Sequence, residues 1–195
     1  MKLKDKLHSL LLEYAEKDLT DKATNHAYEY FYPEELSIFE STKDFALLEI
    51  GVSRGASLEI WAQAFPEGQI YGIDRDFRLV TCQIERFPNI HLLAEGLQNN
   101  PATFKKVWED DLMFDVIIDD ASHAVDDQIV SWNILKSRLK PGGIYIIEDC
   151  FETYPLKPDK AIDEKYPEGF LAKFEIIDLR HLKNQHDDIL LVHRA

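Results

Sequence analysis

The feature that most constrains this chain is an alternation of short apolar segments with turns and amphipathic segments, which begins near residue 45. Apolar, β-branched runs of this length predict buried strands, and the segments between them are long enough for crossover helices. We predict strands at 45–50, 69–73, 90–94, 114–118 and 144–147, and helices at 56–65, 77–87, 101–110 and 124–139. This pattern is typical of an α/β protein with a doubly wound, mostly parallel sheet.

The last part of the chain departs from this alternation. Two further strands are predicted near 172–179 and 189–193, and the polar turn between them leaves no room for a crossover helix. Such a pair forms an antiparallel hairpin. We therefore expect a seven-stranded sheet that is mostly parallel and carries an antiparallel C-terminal strand.

The first part of the chain is organised differently. Leucines recur on one face of residues 3–16, which predicts an amphipathic helix, whereas residues 18–43 are polar and rich in tyrosine without a clear period. The length of 195 residues suits one compact domain. We expect residues 1–43 to supply a helix and a segment that covers the site, and residues 44–195 to form the core.

The composition disfavours two classes of partner. The formal net charge of −14 disfavours nucleic acid and anionic membranes, since both are bound through basic surfaces. The sequence shows neither a membrane span nor a signal peptide, so a cytoplasmic protein is expected. Cys82 and Cys150 lie far apart and lack metal-type spacing, which indicates reduced thiols.

Two of the predicted strands end in paired carboxylates. Asp119 and Asp120 follow one apolar run, and Glu148 and Asp149 follow another. Parallel neighbours would bring these acids together at one edge of the sheet, with His123 close by, and a cation would offset their repulsion. Mg²⁺ and Mn²⁺ prefer such carboxylate oxygens. Two structural alternatives stay open, because the first pair can cap the next helix and the second can begin a solvated loop.

A glycine-containing turn follows the first strand. Glu49 precedes Gly51 and Gly55, and Asp74 ends the second strand, where an acid can accept hydrogen bonds from ribose hydroxyls. The G-x-x-x-G spacing lacks the third glycine of the dinucleotide fingerprint, which disfavours an NAD-linked dehydrogenase. Glu49 beside the turn suits a cationic ligand better than a pyrophosphate. An ordinary βα turn is the alternative reading.

Together with the terminal hairpin, this turn resembles the cofactor half of class I S-adenosylmethionine-dependent methyltransferases, whose Rossmann-like fold has an antiparallel seventh strand. The resemblance spans roughly residues 44–194. It implies that Glu49, Gly51 and Gly55 frame the methionine end of S-adenosylmethionine and that Asp74 binds its ribose. It further implies that Gln98 lies near the adenine and that Asp119 faces the sulfonium. The residues so implied are Glu49, Gly51, Gly55, Asp74, Gln98 and Asp119.

A narrower resemblance is to bacterial metal-dependent O-methyltransferases that modify deoxysugars of macrolides and related products. Those relatives carry a D-D-x-S-H segment and an E-D segment, which correspond to residues 119–123 and 148–149 of this chain. They also carry a G-T-D-K segment, which corresponds to residues 19–22, with Leu19 in place of the glycine. The resemblance implies that Mg²⁺ or Mn²⁺ is bound by Asp120, Glu148 and Asp149 and that His123 is the general base. It also implies that the pocket is covered by His26, Tyr28 and Tyr154.

These observations lead to a hypothesis of O-methyl transfer to a sugar or another vicinal diol. A divalent ion would lower the pKa of the acceptor hydroxyl, and a histidine would remove its proton. The alternatives are a catechol-type metal-dependent O-methyltransferase and a non-catalytic cofactor-binding protein. Such relatives often carry a large additional N-terminal domain that this sequence does not show, so the acceptor stays open, as does a homo-oligomeric state.

Overall fold

The computed structural model describes residues 1–150, 166–183 and 185–195. The strands are β1 (Ala46–Ile50), β2 (Gln69–Asp74), β3 (Ile90–Glu95), β4 (Phe114–Asp119), β5 (Leu139–Ile147), β6 (Glu175–Asp178) and β7 (Ile189–Arg194). The helices are α1 (Leu3–Glu16), α2 (Tyr32–Leu36), α3 (Ala56–Ala64), α4 (Lys105–Glu109), α5 (Val125–Leu135), α6 (Glu168–Leu171) and α7 (Arg180–Lys183). Within these described ranges, no helix is both long and apolar enough to cross a membrane.

The seven strands form one sheet in the order β3-β2-β1-β4-β5-β7-β6. Strands β1 to β5 pair in parallel, and β7 runs antiparallel to both β5 and β6. This arrangement confirms the predicted fold class, including the antiparallel C-terminal strand. The hairpin between β6 and β7 is closed by the single turn of α7, which is too short to be a crossover helix.

The helix predicted at 77–87 is absent. This segment forms two short 3₁₀ turns, Phe77–Leu79 and Ile84–Arg86, with extended backbone between them. The amide groups of Thr81 and Cys82 both donate to the carbonyl oxygen of Arg54, at 3.1 and 3.0 Å. These contacts fasten the segment to the loop after β1, so tertiary structure overrides the local helical pattern.

The boundary between α5 and β5 also differs from the prediction. Helix α5 ends at Leu135, and β5 begins at Leu139 instead of residue 144. The extension includes Leu139 because this residue pairs with Phe114 of β4. The C-terminus adds contacts, since the amide of Gly142 donates to the carbonyl of Ala195 and the amide of Ala195 donates to Gly143. The predicted helix at 101–110 divides into a 3₁₀ turn and α4.

The N-terminal segment packs onto the sheet. One face of the sheet carries α1, α2 and α3, and the fully buried side chains there include Leu11, Tyr32 and Trp61. The opposite face carries α5 and α6 around Trp132 and Tyr145. Residues 1–43 therefore share one apolar core with the first strands of the sheet.

The register of the sheet aligns the ends of three strands. Ile50 of β1 pairs with Asp119 of β4, which pairs in turn with Ile147 of β5. The next residues continue this alignment, since the amide of Asp120 donates to Ile50 at 2.9 Å and that of Glu148 donates to Asp119 at 2.9 Å. The parallel pairing predicted for the two acidic strands is confirmed.

Gly51 allows the turns after β1 and β4 to touch. Its φ of +93° lies in the left-handed region. A Cβ atom at this position would stand 2.0 Å from the carbonyl oxygen of Asp120, which no side chain can tolerate. Glycine at residue 51 is thus required by the close approach of two strand ends.

Replacing Gly51 with alanine should lower the free energy of unfolding by about 3 kcal/mol, since backbone strain and a backbone clash add together. Gly142→Ala is the matched control, because Gly142 has a φ of +79° and no atom within 4 Å of its would-be Cβ. That variant should lose only about 1 kcal/mol. Urea unfolding followed by circular dichroism measures the free energy of unfolding of both variants. Equal decreases in the two variants would contradict the role assigned to the close contact between Gly51 and Asp120.

Candidate active site

A cavity of about 800 Å³ opens at the carboxyl edge of the sheet. Loops after β1 to β5 and residues 18–25 line it, as expected for an open α/β sheet. Of the predicted site residues, those on its wall are Gly51, Asp74, Gln98, Asp120, His123 and Asp149. Those not on its wall are Glu49, Gly55, Asp119, Glu148, His26 and Tyr28. Tyr154 lies outside the described residues.

Asp74 holds the turn that follows β1. One carboxylate oxygen accepts from the amides of Val52 and Ser53, at 2.7 and 2.9 Å, and the other accepts from Asp76 at 2.9 Å. Gly55, with a φ of +91°, begins α3 and packs against the side chains of the 77–87 segment. These contacts hold the turn in one conformation at the cavity wall.

Glu49 lies behind this wall. Its carboxylate is fully buried and accepts from Trp61 Nε1 at 3.1 Å. Among the described residues, Oε1 has no hydrogen-bond partner, and it lies 3.8 Å from Lys22 Nζ. Burial raises the pKa of Glu49 to about 7, and Lys22 opposes this shift. Glu49, expected from the resemblance to frame the methionine end, thus faces a lysine from behind the cavity wall.

Asp119, which the resemblance places near the sulfonium, is buried behind the cavity and is not among its lining residues. Its carboxylate accepts from Gln98 Nε2 at 2.5 Å and from the Ser131 hydroxyl. Gln98 Oε1 in turn accepts from the amide and hydroxyl of Ser122, at 3.1 and 3.0 Å. Burial raises the pKa of Asp119 to about 7. Asp119 thus supports the 120–123 loop through Gln98.

Lys22 lies among the carboxylates at the strand ends. Its ammonium group is 2.7 Å from Asp120 Oδ2, and it donates to both oxygens of Glu148 at 2.8 and 2.6 Å. The Tyr32 hydroxyl also donates to Glu148. Burial would lower the pKa of Lys22, but the nearby carboxylates of Asp120, Glu148 and Glu49 raise it well above its ordinary value.

Asp120, His123 and Asp149 converge on one point of the cavity wall, where one potential ligand atom from each lies within 4.8 Å of the others. His123 has a φ of +57° and Asp149 a φ of +51°, so both occupy sharp turns just beyond strands. His123 Nδ1 is 3.7 Å from Asp149 Oδ2 and is buried without a hydrogen-bond partner among the residues that the structure describes. Burial and the neighbouring Asp120 raise the pKa of Asp149 to about 6.

His26 and Tyr28 support Asp149 from behind. Their rings stack at 4.9 Å, and the Tyr28 hydroxyl donates to Asp149 Oδ1 at 2.5 Å. His26 Nδ1 lies 2.9 Å from Asp188 Oδ1. Burial alone would lower the pKa of His26, but the bond to Asp188 and the charge of Asp149 raise it to about 9.

Sequence reasoning did not assign roles to Lys22 and Tyr32. Lys22 belongs to the segment that carries the T-D-K resemblance, which is a local signal for it, whereas Tyr32 begins α2. Their partner Glu148 follows 126 residues after Lys22 and 116 after Tyr32, so no sequence spacing reveals the pairing. Only the folded structure, in which the strand ends lie side by side, shows that Lys22 is buried among acidic residues.

Comparison with known proteins identifies similar sequences and folds. The L-olivosyl-oleandolide 3-O-methyltransferase of Streptomyces antibioticus is 35% identical over 116 residues, which cover 55% of this chain and 28% of the relative. The 8-demethyl-8-alpha-L-rhamnosyl tetracenomycin-C 2'-O-methyltransferase of Streptomyces olivaceus is 29% identical over 142 residues, covering 69% of this chain and 36% of the relative. This chain resembles sugar O-methyltransferases.

A solved structure carries the same fold. The MycE methyltransferase from the mycinamycin biosynthetic pathway, in complex with Mg, SAH and mycinamycin VI, matches with a TM-score of 0.74 at 22% identity. The match covers 97% of this chain and 54% of MycE. No family model matches the chain. The chain thus has a methyltransferase fold and spans about a third or less of the length of the two sequence relatives named above.

Asp119 gives this methyltransferase fold a defined pH dependence. Because its pKa is about 7 when folded, against an ordinary value of 3.8, the folded protein holds a proton that the unfolded chain releases. This stabilisation is complete below about pH 4 and is lost as the pH rises towards 7. In Asp119→Asn, the fall of unfolding free energy between pH 5 and 7 should be shallower by up to about 1.4 kcal/mol per pH unit.

Urea unfolding at several pH values measures this difference. Asp126→Asn, which removes the same charge at an exposed position on α5, should leave the pH slope of the wild-type protein unchanged. Parallel stability curves for wild type and Asp119→Asn would contradict the assignment.

Proposed function

We propose that this chain catalyses S-adenosylmethionine-dependent O-methyl transfer to a hydroxyl of a sugar or another vicinal-diol small molecule. The observation that carries the proposal is the grouping of Asp120, His123 and Asp149 on the wall of a cavity that also contains the glycine turn and Asp74. The resemblance to O-methyltransferases whose names contain olivosyl and rhamnosyl groups supports a sugar acceptor.

The cofactor end of the cavity is formed by Gly51, Asp74 and Gln98. Gly51 lies on the cavity wall, and its lack of a side chain lets the turn after β1 approach the backbone of Asp120 closely. The Asp74 carboxylate lies on the wall beside this turn and is proposed to accept from ribose hydroxyls. When bound, S-adenosylmethionine supplies a methyl group that its sulfonium already activates, so the chain has only to position the two reactants.

The acidic end fits a divalent cation by its chemistry. Asp120 and Asp149 line the cavity, and Glu148 contacts the same Lys22 ammonium as Asp120. Within the described part of the chain, the buried Nδ1 of His123 has no hydrogen-bond partner. We propose that Asp120, Glu148 and Asp149 hold Mg²⁺ or Mn²⁺. When bound, the ion supplies Lewis acidity that lowers the pKa of an acceptor hydroxyl.

His123 is proposed as the general base that removes the acceptor proton. It is partly exposed on the cavity wall, where a substrate hydroxyl can reach the imidazole. Asp149 Oδ2 lies 3.7 Å from Nδ1 of this imidazole. Tyr28 and His26 keep Asp149 in place.

Replacing His123 with alanine should lower kcat by about a hundredfold to ten-thousandfold, because the base is lost while the cofactor end is untouched. Calorimetry should show wild-type affinity for S-adenosylhomocysteine. The control is His181→Ala, which removes an exposed histidine on α7 and should keep full turnover. A His123→Ala enzyme with wild-type kcat on rhamnosides would refute the base assignment, and a preference for catechols would favour a phenolic acceptor.

Removal of divalent ions with EDTA should abolish turnover and preserve S-adenosylhomocysteine binding, with recovery on addition of Mg²⁺. Asp149→Asn should raise the Mg²⁺ concentration for half-maximal rate by about tenfold or more, since a cation ligand loses its charge. Asp21→Asn is the matched control, because Asp21 lies on the same cavity wall outside the carboxylate cluster. Full activity in EDTA would refute the metal requirement.

A further inference from the structure

One lysine connects the ends of three parallel strands. The ammonium group of Lys22 contacts the residues that follow β4 and β5 at 2.6 to 2.8 Å, and it lies 3.8 Å from Glu49 in β1. Its side chain is only 3% exposed, although it reaches the cavity wall. The ends of β1, β4 and β5 thus share the buried ammonium group of Lys22.

The contacts of Lys22 are with the carboxylates that a divalent cation would use. Both oxygens of Glu148 and one oxygen of Asp120 already accept from the ammonium group. A second cation on these oxygens would meet a fixed positive charge a few ångströms away, inside a poorly solvated site where repulsion is strong. The ammonium and a divalent ion therefore compete for the same negative charge.

We propose that Lys22 is a resident cation of this cluster, which stabilises the carboxylates of Asp120 and Glu148 without metal and weakens the binding of a divalent ion. This inference rests on the metal site of the proposed function. The metal site alone would not require the following step: an incoming ion must displace the Lys22 ammonium from at least one carboxylate. Lys22 is accordingly a positioning residue and not a catalytic one.

A purely structural ion pair makes a different prediction. Removing one partner of a buried pair leaves an uncompensated charge and destabilises the fold. A structural role alone predicts lower stability in every buffer and unchanged or weaker metal binding. Competition predicts lower stability in EDTA together with tighter metal binding, because the cluster then carries one more uncompensated negative charge.

The test is a titration of the full chain with Mn²⁺, with free Mn²⁺ measured by electron paramagnetic resonance. Lys22→Met should bind Mn²⁺ about tenfold or more tightly than wild type, and Lys22→Arg, which keeps the charge, should not. Lys140→Met is the matched control, since Lys140 pairs with Asp115 at 2.7 Å and does not line the cavity. Its Mn²⁺ affinity should equal that of wild type.

Thermal unfolding gives an independent measurement. Lys22→Met should unfold at a lower temperature than wild type in EDTA, and Mn²⁺ should raise its Tm by more than it raises that of wild type. If the variant is unfolded in EDTA, the proposal requires that Mn²⁺ restore the folded state. A variant that stays unfolded with Mn²⁺ would contradict the proposal.

The outcomes separate this inference from the proposed function. Equal Mn²⁺ affinities in wild type and Lys22→Met, or weaker binding by the variant, would overturn the role of Lys22 and leave the metal site intact. Absence of saturable binding in both proteins would overturn the metal site and this inference with it.

Discussion

Repulsion among carboxylates at the carboxyl edge of the sheet is the constraint on which the site depends. The parallel register sets Asp120 and Glu148 beside each other, and Glu49 and Asp149 lie close to both. Such a group is unfavourable unless protons or cations offset it. Within the described residues, the offset comes from Lys22, from hydroxyl donors and from the raised pKa values of Glu49 and Asp149.

The N-terminal segment supplies most of these compensating groups. Lys22, His26, Tyr28 and Tyr32 all precede the first strand, and α1 and α2 hold them by packing against the face of the sheet that carries α3. The apolar contacts of the helices thus position the polar groups of the loop between them. This coupling explains why a segment without periodicity is as important to the site as the strand ends themselves.

The fold was more predictable than the contacts of individual acids. Strand positions follow from local apolar runs, and the predicted order of strands and helices is largely confirmed. The 77–87 segment was mispredicted because Arg54, distant in sequence, binds its amides. The burial of Glu49 and Asp119 depends on Trp61, Gln98 and Ser131, which no spacing rule connects to them. The six predicted residues found on the cavity wall lie at or after the ends of strands, where an apolar run that stops gives a local signal.

The two acidic pairs, Asp119–Asp120 and Glu148–Asp149, each place one residue in the interior and one at the cavity. In each pair the first residue is sequestered: Asp119 is 0% exposed and bound by Gln98 and Ser131, and Glu148 is 1% exposed and bound by Lys22 and Tyr32. The second residue, Asp120 or Asp149, reaches the cavity. Successive side chains at the end of a strand point in opposite directions, so each pair places one acid in the interior and one at the cavity wall. Paired carboxylates after parallel strands are therefore not redundant. Asp119 supports the loop that carries Asp120 through Gln98, and Glu148 binds the Lys22 ammonium that also contacts Asp120.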